Sequence, residues 1–81
     1  MSVNMNRRRS HLDVTADILR TAHGGAIKTR IVYQANLNFK IVKRYLKALL
    51  ETGMLRHEGR HYYATEKGAT YLSRYEALIS L

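Results

Sequence analysis

The stretch that decides the fold runs from Lys28 to Gly53, KTRIVYQANLNFKIVKRYLKALLETG. On a 3.6-residue wheel started at Phe39, the apolar residues Phe39, Val42, Leu46, Leu49 and Leu50 share one side. Lys40, Lys43, Arg44 and Lys47 fall together on the opposite side. The pattern predicts a helix with a packed back and a cationic front. Just before it, Asn36-Leu37-Asn38 reads as a turn, because asparagine tolerates left-handed backbone and Leu37 can plug the space between two helices. Asn38 is the expected N-cap and Gly53 the expected stop. Upstream, Thr29 reads as the cap of a shorter helix reaching about Ala35. Two short helices around a tight turn, the second one basic, have a shape that the major groove of duplex DNA accepts.

Working outward, MSVNMNRRR at residues 1–9 has no apolar periodicity and reads as a flexible basic arm. Ser10 fits a helix N-cap with Asp13 three residues on, and Leu12, Ala16, Ile18, Leu19 and Ala22 supply a buried face. Gly24-Gly25 is the expected left-handed end of that helix. Ala26-Ile27-Lys28 is short enough to be an edge strand or a linker. After Gly53 the period changes: residues 54–58 and 60–64 predict two short strands around Gly59. Thr65 caps a last helix that should reach nearly to Leu81. The expected fold is mainly α with a small β-hairpin, in the order α1-(β1)-α2-α3-β2-β3-α4, occupying residues 10–81. That order is a winged helix-turn-helix.

Charge placement narrows the partner. The chain of 81 residues carries a formal net charge of +8. Residues 28–60 hold eight lysines and arginines against Glu51 and Glu58, whereas residues 61–81 balance. A field concentrated on one stretch points to a polyanion. With no cysteine, disulfides and thiolate metal sites are excluded. No apolar run approaches about 18 residues and no secretory segment is visible, so a cytoplasmic, non-membrane protein is expected. The carboxylates are scattered without a pair placed for acid–base work, and Gly24-Gly25 lacks the lysine of a phosphate loop, so no enzyme is expected. His57 and His61 sit across a hairpin turn with no third ligand, which argues against metal. No cofactor and no small-molecule ligand are expected.

The combined motifs carry a resemblance. KTRIVYQANLNF, then Glu51, Gly53, Met54 and Leu55, then Tyr62, Thr65, Lys67 and Gly68 resemble a small archaeal winged-helix family that includes transcriptional regulators and ten-kilodalton chromatin proteins. The similarity spans roughly residues 10–80. It implies double-stranded DNA binding, usually as a homodimer. Chromatin members of that family extend the last helix into a long coiled coil. Here the sequence stops at Leu81, about four turns after Thr65, which favours the regulator over the nucleoid-associated alternative. Similar short proteins occur in archaeal viruses, so the cytoplasm in question is cellular or that of a host.

Within that reading, Asn38, Lys40, Lys43, Arg44 and Lys47 are the expected groove residues. Arg44 suits bidentate guanine contact, and the lysines suit phosphates. Lys28, Thr29 and Arg30 open α2, where free N–H groups favour a phosphate. Arg56, His57, Arg60 and His61 flank the hairpin tip, and Arg7, Arg8 and Arg9 could follow a minor groove. Tyr33, Tyr45, Tyr62 and Tyr63 are expected to pack in the core with their hydroxyls exposed, Tyr62 and Tyr63 pointing to opposite faces of the strand. On the last helix, Tyr71, Leu72, Tyr75, Leu78 and Ile79 form an apolar stripe, partly covered by helix 1 and otherwise suited to a two-fold contact. Two other classes fit a basic winged helix: a protein-docking module and an RNA binder.

Overall fold

The computed structural model describes residues 10–80. Its elements are α1 (His11–Thr21), β1 (Ala26–Ile27), α2 (Lys28–Ala35), α3 (Phe39–Glu51), β2 (Leu55–Glu58), β3 (His61–Ala64) and α4 (Glu66–Ile79), in the expected order. The strands form an antiparallel sheet in the order β1-β3-β2. Val14, Ile18 and Leu19 of α1, Ile31 and Ala35 of α2, Val42, Leu46 and Leu49 of α3, Leu55 and Tyr62 enclose one core.

Local chemistry explains most of the boundaries. Ser10 starts α1 with a reciprocal capping box: its hydroxyl accepts the Asp13 N–H at 3.1 Å, and the Asp13 carboxylate accepts the Ser10 N–H at 3.3 Å. Leu12 departs from the expected buried face and is 58% exposed. It lies on the side of Leu19 but about two turns earlier, over an open groove beside α4. Gly24-Gly25 does not supply the C-cap. The helix stops at Thr21 with Ala22 at ordinary negative φ, and glycine is required later, where Gly25 takes φ +100° to enter β1. A Cβ on Gly25 would meet Tyr63 Cε2 at 2.6 Å.

Thr29 is not the cap of α2. Ile27, paired with His61 in the sheet, occupies that position with no side-chain bond, and the chain passes directly from strand to helix at Lys28. Asn36 takes the left-handed conformation at φ +56°, and Leu37 packs partly buried against the core. The Asn38 side chain then accepts the Ile41 N–H at 2.8 Å, opening α3. Phe39 was expected inside but is 48% exposed. Leu37 already fills the core at this end, and the Lys28 ammonium lies 5.2 Å from the Phe39 ring centroid. Tyr33 likewise departs from the core expectation, being 80% exposed on the outer side of α2.

α3 ends in a Schellman arrangement, with Gly53 at φ +82° and the Met54 N–H donated to the Leu49 carbonyl at 2.9 Å. The hairpin pairs Glu58 with His61, so its turn is Gly59-Arg60 and each strand is one residue shorter than expected. Thr65 caps α4 through the Gly68 N–H and donates its hydroxyl to the Gly53 carbonyl at 2.5 Å. Lys67 Nζ reaches the Thr52 carbonyl at 2.7 Å. Gly68 is buried where the start of α4 crosses the end of α3. A Cβ there would overlap the Met54 carbonyl oxygen and approach a Leu19 methyl to 3.0 Å. Gly68→Ala should therefore lower unfolding free energy by about 1–3 kcal/mol through overpacking, against the roughly 1 kcal/mol that alanine gains in an unobstructed helix. Gly24→Ala, with nothing within 4 Å of the added carbon, should leave stability unchanged or slightly higher in the same urea titration followed by circular dichroism.

Candidate nucleic-acid interface

Burial of Val42, Leu46 and Leu49 turns the opposite side of α3 to solvent, and Lys40, Lys43, Arg44 and Lys47 are all exposed there. Among the described residues, none of the four has an ion-pair partner. The stripe divides over two flanks. Lys43 and Lys47 line a cleft of about 320 Å³ together with Lys28, with Leu46, Leu50 and Tyr62 as its apolar walls and Glu51 at its edge. Arg44 borders the other flank, beside His11, Ile41, Tyr45 and Ala48. There Tyr45 Oη lies 2.6 Å from His11 Nδ1, tying α3 to the start of α1. The Oδ1 atom of Asn38 is engaged as the cap, so its amide N–H groups remain for an outside partner.

The first turn of α2 adds to this surface. It contains no acidic residue and no side-chain cap, yet Lys28 and Arg30 stand at its positive end. Uncapped N–H groups beside two cations suit an anion. Lys28 is half-buried between Phe39 and the cleft, while Thr29 and Arg30 are exposed.

Strand alternation sorts the hairpin residues. Arg56, Glu58, His61 and Tyr63 project on one face: Arg56 pairs with Glu58 at 2.5 Å and lies 4.5 Å above the Tyr63 ring, with the His61 ring 6.2 Å from that tyrosine. His57 projects on the other face, stacked on Tyr62 at 4.1 Å, and Tyr62 in turn walls the lysine cleft. His57 therefore joins the α3 side while Arg56 and His61 turn away from it. Arg60 sits in the turn, exposed and without an ion-pair partner among the described residues. The opposite orientation of Tyr62 and Tyr63 is as expected, but the convergence of Tyr62 and Lys28 on Lys43 and Lys47 was not visible in sequence. Alternation gives two faces of a strand without saying which one meets the helix. The arginines at positions 7–9 lie outside the described residues.

The chain matches the winged helix-turn-helix family over residues 8–81. It belongs to that family. An uncharacterized protein of Methanocaldococcus jannaschii is 38% identical over 77 residues, spanning 90% of this chain and 79% of the relative. The crystal structure of Sso10a-2, a DNA-binding protein from Sulfolobus solfataricus, superposes with a TM-score of 0.79 at 30% identity, covering 89% of this chain and 80% of that one.

On the far side of this winged helix, α4 has a divided stripe. Tyr71 donates its hydroxyl to the Leu12 carbonyl at 3.2 Å, the Tyr75 hydroxyl bonds the Asp13 carboxylate, and Arg20 bridges Asp17 at 2.9 Å and Glu76 at 3.1 Å. The bond to Asp13 raises the Tyr75 phenol above its ordinary value, and burial does the same for Tyr71, so both remain protonated donors at neutral pH. Leu72 is half-buried. Leu78 and Ile79 stay 67% and 63% exposed at the end of the helix, beside a groove of about 470 Å³ lined by Leu12, Met54, Tyr71 and Tyr75. Among the described residues no three histidine or carboxylate side chains gather as metal ligands, and no helix is long and apolar enough to cross a membrane.

The wing geometry separates two arginines that sequence treats alike. Arg56 is held by Glu58 and Tyr63, and Arg60 has no ion-pair partner among the described residues. Arg60→Ala should weaken binding to duplex DNA about 2- to 5-fold at low salt, the scale of one phosphate contact, and Arg56→Ala should weaken it less. Fluorescence anisotropy of the two variants side by side checks the order.

Proposed function

We propose that this winged helix binds double-stranded DNA as a homodimeric transcriptional regulator. α3 enters the major groove with Asn38, Lys40, Lys43, Arg44 and Lys47, and the hairpin rests on flanking backbone through His57 and Arg60. The observation that carries the reading is the unpaired cationic side of α3, continued by Lys28, Thr29 and Arg30 at the uncapped start of α2. Cations without an ion-pair partner among the described residues remain available to displace counterions from a phosphate backbone. The likeness to Sso10a-2, a DNA-binding protein, supports the DNA-binding part of this reading. Arg44, on a flank of its own, is assigned to a guanine edge, and the lysines to phosphates.

The deciding experiment is anisotropy with a random 30-base-pair duplex at several salt concentrations. The log–log slope should be steep, roughly −4 to −8 for a dimer making about 5–9 phosphate contacts. A flat slope with weak affinity would move the function to a protein partner, and preference for structured RNA in competition would move it to RNA.

The homodimer is assigned to the open end of α4, where Leu78 and Ile79 adjoin the groove of Leu12, Tyr71 and Tyr75. A homodimer would let two copies of α3 address paired half-sites in successive major grooves, the arrangement by which helix-turn-helix regulators read DNA. Sedimentation equilibrium at micromolar concentration should give a dimer mass, and Leu78→Lys should give a monomer. A monomeric wild-type protein would remove the dimer from the proposal without touching DNA binding.

A further inference from the structure

Phe39 is out of place for a residue that merely supports the fold. It is the first residue of α3, 48% exposed, on the surface that carries the cations. Single exposed apolar side chains are ordinary on protein surfaces, but this ring has a defined setting. The Lys28 ammonium is 5.2 Å from its centroid, and Lys43, one helical turn on, lines the same cleft as Lys28. Helical side chains lean toward the N-terminus, so at the first position the ring projects off the leading end of the helix. Asn38 fixes that end through its bond to the Ile41 N–H.

A ring with cations beside it suits a surface that is anionic at its edge and apolar further in. The major-groove edges of the four base pairs present hydrogen-bonding atoms that an aromatic ring cannot satisfy, and one apolar group, the 5-methyl of thymine. That methyl stands near the rim of the groove, beside the backbone that Lys28 and Lys43 would hold. We infer that Phe39 reads the thymine 5-methyl group at the leading end of α3, an inference that rests on the DNA-binding reading above. Phe39 is then a specificity residue that hydrogen-bonding chemistry alone would overlook. It biases the protein toward A·T steps at the position under the start of the helix.

The test compares one A·T-rich 30-base-pair duplex with the same duplex in which every thymine is replaced by deoxyuridine, which removes the methyl and leaves base pairing intact. Wild-type protein should bind the deoxyuridine duplex about 4-fold more weakly for each methyl contacted, the weight of one methyl group returned to water. Phe39→Ala should bind the thymine duplex more weakly and show no further loss on deoxyuridine. Phe39→Leu, which keeps an apolar side chain and serves if the alanine variant melts early, should retain part of the difference. A loss in Phe39→Ala by the same factor on both duplexes, with the thymine-to-deoxyuridine ratio unchanged, would overturn the inference and leave Phe39 as a support for the backbone contacts. Equal wild-type affinity for the two duplexes would overturn it as well. Failure of wild-type protein to bind either duplex at low salt is a different outcome: it removes the DNA-binding reading itself, and this inference with it.

Discussion

Withdrawing Val42, Leu46 and Leu49 from water is the constraint on which the rest of the molecule turns. Side chains on a helix repeat every 3.6 residues, so fixing three of them against the core fixes the direction of every other side chain on α3. The cations have no freedom to choose where they point. Ile18, Leu19, Ile31 and Leu55, from three other elements, share the core with them. A substitution among them would rotate or loosen the cationic face without touching it. The surface chemistry is thus a consequence of interior packing, and the two cannot be varied independently.

The same packing makes the lysine cleft. Tyr62 sits on the central strand of the sheet, opposite Ala26 of β1 on one side and His57 of β2 on the other, with its side chain turned toward α3. Its ring closes the space between helix and hairpin, so Lys43 and Lys47 stand over an apolar floor and not over open water. An ammonium group above such a floor is less completely hydrated, and its attraction for an anion is less screened than that of a cation on an isolated helix. His57, stacked on the same ring, extends that environment to the hairpin.

Much of this was legible in the sequence because it depends on neighbours along the chain. The turn at Asn36, the caps at Ser10, Asn38 and Thr65, the stop at Gly53 and the two-sided pattern of α3 are all local effects, and each is found where residue chemistry puts it. The departures share a different cause. Phe39 and Leu12 have the spacing of core residues, but each lies in the first turn of its helix, where the described residues leave about half of it exposed. A helical wheel records angle and ignores height. Thr29 has the chemistry of a cap but stands two positions too late, because the pairing of Ile27 with His61, residues far apart in sequence, decides where the helix begins. The cleft was hidden for the same reason: it joins α2, α3 and β3, and no local pattern says which side of a strand will meet a helix.

The junction between α3 and α4 has a mechanical meaning. The carbonyls just past α3, at Thr52 and Gly53, receive Lys67 in the first turn of α4 and Thr65 at its cap, and Gly68 packs against Met54 with no space to slide. The two helices are therefore welded at one corner. If α4 is the element through which two copies join, each α3 is a rigid outrigger of the dimer axis, and the separation between the two is a fixed length. DNA spaced for that length would tolerate insertion of a whole helical turn between half-sites only by looping, and half a turn would put one outrigger on the wrong side of the duplex.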